Sequence, residues 1–373
     1  MKILFLADLN SEHTIKWGNA LILKNIDIKI FGFSKLLNNN NLNRQIIVFS
    51  GDIKINDKEK IYTKLSKIRY LKYIFYLKKI IKEFKPDIIH SHYASSYGLL
   101  GALSGFHPLL VSVWGSDIFD FPRKNLFRKK ILKFVFNKAD IILSTSNVMA
   151  KETVKYTDKQ VNVIPFGIDV NFFRPFETES IFSENSFVIG TVKSLEKIYG
   201  IDTLLRSFKM LKEKFPDKEL KLLIIGEGTE KENLIKLSIS LGIDTDTVFT
   251  GKMIHSKLPL YYNMMDVALF LSRKESFGVS VLESLSCEIP VIVSNVGGLP
   301  EIVDNNVNGI IVKEDDPQDA SEAMESLLIN EPFRKSLGKN GREKVINQYN
   351  FENNLEGMMD VYKAINKKFL TIS

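Results

Sequence analysis

Apolar positions along the 373-residue chain cluster in short dense runs, with longer stretches of helical spacing between them. In the first half KILFLA, DIKIFGF, QIIVF, DIIHSHY, LLVSVW, DIILS and NVIPF are rich in Ile, Leu, Val and Phe, the pattern of strands buried on both faces. Helical spacing separates them, as over 61–84 and 125–137. In the second half FVIGTV, LKLLIIG, TVFTG, VALFLS, PVIVS and GIIV alternate with helical patterns near 201–214, 230–241 and 317–328. Asp316 and Pro317 open the last of these as N-cap and first-turn proline. From Glu331 onward the spacing stays helical, and the Asn-rich run Asn38–Asn41 reads as a loop. Strands alternating with helices predict parallel sheets in doubly wound α/β domains. Ligands of such sheets sit beyond the carboxyl ends of the strands.

The length predicts two domains. Pro175 is the natural boundary, where VIPFGIDVNFFRPFETES turns from an apolar strand into a polar connector. Charge follows the same division. Residues 1–175 hold 28 Lys+Arg against 14 Asp+Glu, and residues 176–373 hold 23 against 30. The overall +7 is therefore +14 on one side and −7 on the other. A basic first domain calls for nucleic acid, an anionic membrane or phosphorylated substrates. No nucleic-acid motif accompanies the charge. The runs Lys58–Lys85 and Phe121–Lys133 interleave Lys and Arg with aromatic and aliphatic residues. That mixture suits either an amphipathic helix on an anionic membrane or a helix packed on the sheet with its lysines in water.

Cys287, the only cysteine, excludes a disulfide framework and suits a reducing compartment. No uninterrupted apolar stretch reaches a membrane-spanning length. MKILFLAD reads as a first buried strand rather than a signal sequence. The expected address is cytoplasmic, with peripheral contact at the inner face of the plasma membrane.

The most informative chemistry lies in LFLSRKESFGVSVLESLSCEIPVIVSNVGGLPEIV, Leu269–Val303. After the strand VALFLS come Glu275, Ser276, Phe277 and Gly278, then a helix carrying Glu283. Glycine admits close approach to the backbone. The N–H groups of Gly278, Val279 and Ser280 at a helix start suit a diphosphate. Glu275 and Glu283 flank that position and can accept hydrogen bonds from sugar hydroxyls, although a surface Glu and a capping Glu would give the same pattern. In the first half His90 and His92 fall on one face of a strand, with no third metal ligand at a telling spacing. The Asp244-Thr245-Asp246 triplet looks like a metal motif but lies in a turn, where such residues turn the chain.

These residues carry a resemblance. E-SFGVSVL-E is similar to the E-x7-E motif of retaining glycosyltransferases with the GT-B fold, and the second half resembles glycosyltransferase family 4. VIPFGID, IIGEGTEKENL, VFTGKM and PVIVSNVGGLPEIV follow in the family's order. The resemblance covers about 162–312 well and the first domain in patches. It implies two Rossmann-like domains facing a cleft: an acceptor-side domain over 1–170, a nucleotide-sugar domain over 171–350, and a C-terminal helix, 351–373, crossing back to the first. It implies that Glu275 binds donor-sugar hydroxyls, that Phe277–Val279 place backbone N–H groups on sugar and diphosphate, with Ser276 also among the donor-binding residues, and that Glu283 holds the ribose. Gly226 belongs to the glycine-bearing loop, and Lys252, Met253 and Ile254 lie along the base.

The family's R-L…K-G pair, which clamps the diphosphate, reads GTVKSLEKIYGID here. Tyr199 occupies the Lys position and Ser194 or Lys193 the Arg position, leaving Lys193 and Lys197 as cations, with Lys193 the better placed to neutralise the leaving phosphate and Lys197 alternatively a solvated loop charge. SVWGSDI resembles the family's H-G-S-D segment with Trp114 in place of histidine. Asp117 remains there as an acceptor-side carboxylate or a helix N-cap. DIIHSHY resembles the D-x-x-H-x-H strand end, with one structural and one cleft-facing histidine, and the first loop, DLNSEHTIKWGNAL, offers His13 as a weaker catalytic candidate.

The implied activity is transfer of a hexose or N-acetylhexosamine with retention, from a UDP-sugar ahead of a GDP-sugar, without metal or other cofactor. The acceptor is a glycan or lipid-linked hydroxyl, and the setting is cell-surface polysaccharide or glycolipid synthesis. A sugar-nucleotide epimerase, a phosphorylase and a non-catalytic sugar-nucleotide binder are the rival readings.

Overall fold

The computed structural model describes residues 1–37, 41–50 and 64–371. Of the loop expected at Asn38–Asn41 only Asn41 lies within them, and the basic run enters them at Lys64; the remainder of both lies outside the described residues. By internal packing the chain divides into two units, Met1–Phe166 with Asn354–Ser373, and Gly167–Asn353.

In the first unit the described residues form one parallel sheet from β1 (Lys2–Leu6), β2 (Asp27–Gly32), β3 (Ile47–Ser50), β4 (Ile88–His92), β5 (Leu109–Val113), β6 (Ile141–Ser144) and β7 (Val161–Val163), in the order 3-2-1-4-5-6-7. The second unit holds β8 (Phe187–Val192), β9 (Leu220–Ile225), β10 (Thr247–Gly251), β11 (Val267–Phe270), β12 (Val291–Ser294) and β13 (Gly309–Val312), again parallel, in the order 10-9-8-11-12-13. Every strand overlaps one of the apolar runs, although β7 takes only Asn162 and Val163 of NVIPF, and both sheets are doubly wound. The runs lack polar alternation because helices cover both faces: β4, β5 and β11 are buried along their whole length.

Helices form where apolar residues recur at the helical period. Ile201–Lys214 buries Ile201, Leu204, Leu205, Phe208 and Leu211, a stripe at intervals of three and four. Each such side chain contributes about 1.5–3 kcal/mol on burial. Side-chain caps mark several starts: Asp316 accepts from Asp319 N at 3.0 Å, Asn125 from Arg128 N at 2.9 Å and Asn330 from Phe333 N at 3.0 Å, each worth about 1 kcal/mol.

One reading is corrected. The segment taken as the first loop is mostly helix, Glu12–Leu23, because Thr14, Ile15, Trp17, Gly18 and Leu21 form an inward stripe. His13 therefore sits in a first helical turn.

The strand order reverses beside β1 and again beside β8. In the first sheet β1 pairs with β2 on one side and β4 on the other, with Phe5 opposite His90. In the second, β8 pairs with β9 and β11, with Ile189 opposite Val267. Chain leaving neighbouring strands there departs toward opposite faces, which opens a crevice at the carboxyl ends.

Candidate active site

The second unit's crevice gathers residues far apart in sequence. Lys193 follows β8 and Glu275 follows β11, and their side chains form an ion pair in which each is about one-eighth exposed. The Lys193 ammonium also lies 4.6 Å from the centre of the Tyr199 ring. Burial pushes the Tyr199 hydroxyl above its ordinary range. A largely desolvated cation against a carboxylate and a ring face is held in place more firmly than a surface lysine.

Backbone contacts fix the Glu275 loop. Gly298 N donates to Glu275 O at 3.1 Å. Gly297 has φ +53°, and a Cβ there would lie 1.7 Å from Glu275 O. The glycine pair of VGGLPEIV is thus the floor on which the Glu275 loop rests. Gly226 acts alike beneath Lys193: its φ is +152°, and a Cβ would lie 1.8 Å from Lys193 O.

Beside the pair is a cavity of about 430 Å³ lined by Lys193, Tyr199, Gly226, Lys252, Met253 and Ser280, among others. Ile254 is exposed instead. Lys197 is exposed too and lines a separate cavity with Glu196, Asp202 and Glu230; the structure does not bring it to Lys193. Gly278 caps helix Val279–Ser286 at φ +119°, while Ser276 leads into it and Phe277 is buried, with its ring centre 6.1 Å from that of Tyr349. Glu283, on the same helix, is nearly buried and accepts from Tyr262 Oη at 2.9 Å, with His255 Nε2 3.6 Å from its other oxygen. Burial and the Glu283 charge hold the Tyr262 hydroxyl well above its usual range, so it donates.

In the first unit, His13, His90, His92 and Trp114 meet in one aromatic cluster at the ends of β1, β4 and β5. The His13 ring stacks on Phe166 at 3.8 Å and meets Trp114 edge-on at 5.9 Å; His92 lies 4.6 Å from Trp114 and 4.6 Å from His90. Both His90 and His92 are buried, and both line the same small cavity. His90 bonds to Tyr362 Oη and Ser112 Oγ, each at 2.7 Å. Burial lowers His90 to about 3, and burial followed by the charges of His90 and His13 lowers His92 well below its usual value. These are neutral packing histidines. The cavity they line measures about 10 Å³, room for about one water molecule.

Asp117 is not the helix N-cap. The N-cap is Gly115, and Asp117, wholly buried, accepts from Ala94 N at 2.7 Å, Gly115 N at 2.8 Å and Trp114 N at 3.1 Å. It ties the chain after β5 to the chain after β4. Burial pushes its pKa up to about 6 against the pull of those bonds. Asp246 of the metal-like triplet is also committed, pairing with Lys212 and with Lys221, the latter at 3.0 Å.

Sequence reasoning missed Arg273. It bonds Asp202 at 2.9 and 3.0 Å and Asp315 at 2.8 Å, reaches the Lys197 carbonyl, and its N–H donates to Ile198 O at 2.8 Å. It clasps the turn carrying Tyr199 to the strand end carrying Glu275. Its position two residues before Glu275 is the only sequence signal, since partners 71 and 42 positions away are invisible in a linear pattern. Tyr262 was missed for the same reason.

Two doubly wound parallel sheets are the architecture of the GT-B fold. The comparisons agree. Residues 174–344 match the family described as Glycosyl transferases group 1, and residues 2–146 match Glycosyl transferase 4-like. Over 285 residues the chain is 26% identical to the N-acetyl-alpha-D-glucosaminyl L-malate synthase of Bacillus anthracis, covering 71% of each chain. In fold it is similar to sucrose-phosphate synthase from Thermosynechococcus elongatus, at TM-score 0.84 and 19% identity over the whole of both chains. It is also similar to Anabaena Alr3699/HepE, solved in complex with UDP-glucose, at TM-score 0.76 and 16% identity over 98% of this chain and 100% of that one. The chain is a glycosyltransferase.

Proposed function

We propose that this glycosyltransferase moves a hexose or N-acetylhexosamine from a nucleoside-diphosphate sugar, UDP ahead of GDP, to a hydroxyl of a glycan or lipid-linked acceptor with retention, in cell-surface polysaccharide or glycolipid synthesis. The observation carrying this reading is the Lys193–Glu275 pair beside the cavity lined by Gly226, Lys252, Met253 and Ser280. A cation and a carboxylate held together supply one group for a leaving phosphate and one for sugar hydroxyls. The relative solved with UDP-glucose supports uridine diphosphate as the carrier.

In the proposed step the bond from the anomeric carbon to the phosphate oxygen breaks, and a bond to the acceptor oxygen forms on the same face. The acceptor's proton passes to the departing phosphate. Lys193 and the backbone N–H groups of Phe277–Val279 stabilise the negative charge that develops, and a fixed group does so without reorganisation. Glu275 orients the sugar and Glu283, braced by Tyr262, the ribose. No divalent ion is required, a reading supported by the engagement of Asp246 with two lysines.

The test is release of nucleoside diphosphate from a panel of UDP- and GDP-sugars with glycan and lipid-linked acceptors, with and without EDTA. Turnover unaffected by EDTA, an α-linked product from an α-linked donor, and a loss of at least about a hundredfold in Glu275→Ala are expected. Donor binding without release would sink the enzymatic reading, and full activity in the variant would sink the site.

A further inference from the structure

Three helices of the first unit, Lys64–Phe84, Tyr97–Ser104 and Leu126–Lys138, form one layer on its sheet, with Tyr97–Ser104 packed between the other two. Inward residues such as Leu77, Ile80, Leu100, Leu132 and Val135 join a single core. The outward side of the same layer is unusual for a protein surface. Phe75 is 74% exposed, Leu126 77% and Phe127 60%, and Leu103 and Phe134 are each more than a third exposed. A helix turns 100° per residue, so Phe127 and Phe134 lie nearly in line with Lys130 between them, opposite the buried Leu132, Val135 and Phe136.

Charge on this layer is almost wholly of one sign. Among the described side chains the three helices carry nine Lys and Arg against a single carboxylate, Glu83, which lies 3.8 Å from Lys79. Helix Leu126–Lys138 has no acidic residue, and Arg123 and Lys124 precede it. Long cationic side chains here are interspersed with exposed rings and leucines. The rings and leucines call for hydrocarbon, and the ammonium groups around them call for anions at the same depth.

We propose that the outward face of this helix layer docks on an anionic lipid bilayer, with Leu126, Phe127, Phe134 and Phe75 entering the headgroup boundary and the lysines on lipid phosphates. A bilayer surface supplies both chemistries in one plane. A single-stranded nucleic acid would satisfy the cations and stack on the rings, but it has no use for Leu103 and Leu126. The proposal stands whether or not the donor reading holds, because none of these residues belongs to the second unit.

The experiment is co-sedimentation of the full chain with phosphatidylcholine vesicles, with and without phosphatidylglycerol, at low and high salt. Binding only to the phosphatidylglycerol vesicles, weakened by salt, is expected. Leu126→Ser/Phe127→Ser and, separately, Lys129→Glu/Lys130→Glu/Lys133→Glu should each lower the partition coefficient by about tenfold or more, since each surface cation contributes several-fold. Nucleoside diphosphate release with a soluble acceptor, measured on the same variants, should not change, which separates a docking defect from a failed fold or a failed enzymatic reading. Equal partitioning onto neutral vesicles, no partitioning onto either, or loss in the charge variant with none in the Leu126/Phe127 variant would overturn it. The last outcome, joined to tight binding of single-stranded DNA, would indicate a polyanion site instead.

Discussion

Tyr199 shows how one residue changes what its neighbours must do. It stands where the resembling family carries a second cation, and it offers a ring face to Lys193. A ring under an ammonium contributes about 0.5–2 kcal/mol as the site loses water. Replacing Tyr199 with Leu should therefore lower kcat/KM about tenfold, while Tyr199→Phe stays close to the parent. The loss should fall on kcat more than on KM if the ring holds Lys193 for the transition state. Steady-state kinetics on both variants and on Lys193→Met check this. A Lys193→Met enzyme that is inactive beside an unaltered Tyr199→Leu would show that the ring holds nothing. The E-x7-E carboxylates and Lys193 were legible as residue types. That Lys193 and Glu275 touch was not, because they are 82 positions apart.

At the scale of elements, the loop after β11 keeps its shape through the turn after β12. Gly297 sits at positive φ against the Glu275 carbonyl, whereas Gly242, at φ +65°, has nothing within 4 Å of where a Cβ would stand. The two make a matched pair. Gly242→Ala should cost only the conformational strain, about 1 kcal/mol, with activity intact. Gly297→Ala adds a collision with backbone that cannot be relieved without moving Glu275. It should cost several times more in denaturant stability and most of the turnover. Equal costs in chemical denaturation would mean that the turn is not the support of the loop. Sequence pattern gave the elements well: strands buried on both faces leave dense apolar runs, and caps such as Asp316-Pro317 are local chemistry. Helix Glu12–Leu23 was lost because Gly18, Asn19 and Ala20 dilute its apolar stripe. Arg273, whose role is to clasp two elements, had no local signature.

At the scale of the whole molecule, the first unit carries an acid sensitivity of its own in two buried histidines. His90 and His92 stay neutral in the fold and charge on unfolding, so stability is lost as pH falls from 6.5 toward 3. Each contributes about 1.4 kcal/mol per pH unit. Asp117 opposes one of them: its raised folded pKa, about 6, makes the fold hold the extra proton between about 4 and 6. Stability should fall gently with acid between pH 6 and 4. In Asp117→Asn, which lacks the opposing proton, it should fall about twice as steeply. Both tryptophans, Trp17 and Trp114, lie in the first unit, so urea titrations followed by tryptophan fluorescence report on it alone. A flat or rising profile would show that the histidines are not held neutral. Among the described residues no helix is long and apolar enough to cross a membrane.

The sequence by itself determined the two parallel α/β sheets, the opposite charges of the two halves and the residue types of the E-x7-E segment. Each is encoded in runs of neighbouring residues, where burial periodicity, capping and composition act locally. Only the tertiary structure decided which of those residues meet. Lys193 pairs with Glu275 and lies against Tyr199, while Lys197 faces elsewhere. His90, His92 and Asp117 became buried supports, and the basic helices turned their rings outward. The physical reason is that strand order, not chain order, fixes which strand ends are neighbours, and a side chain's partner and exposure are set across the sheet rather than along the chain.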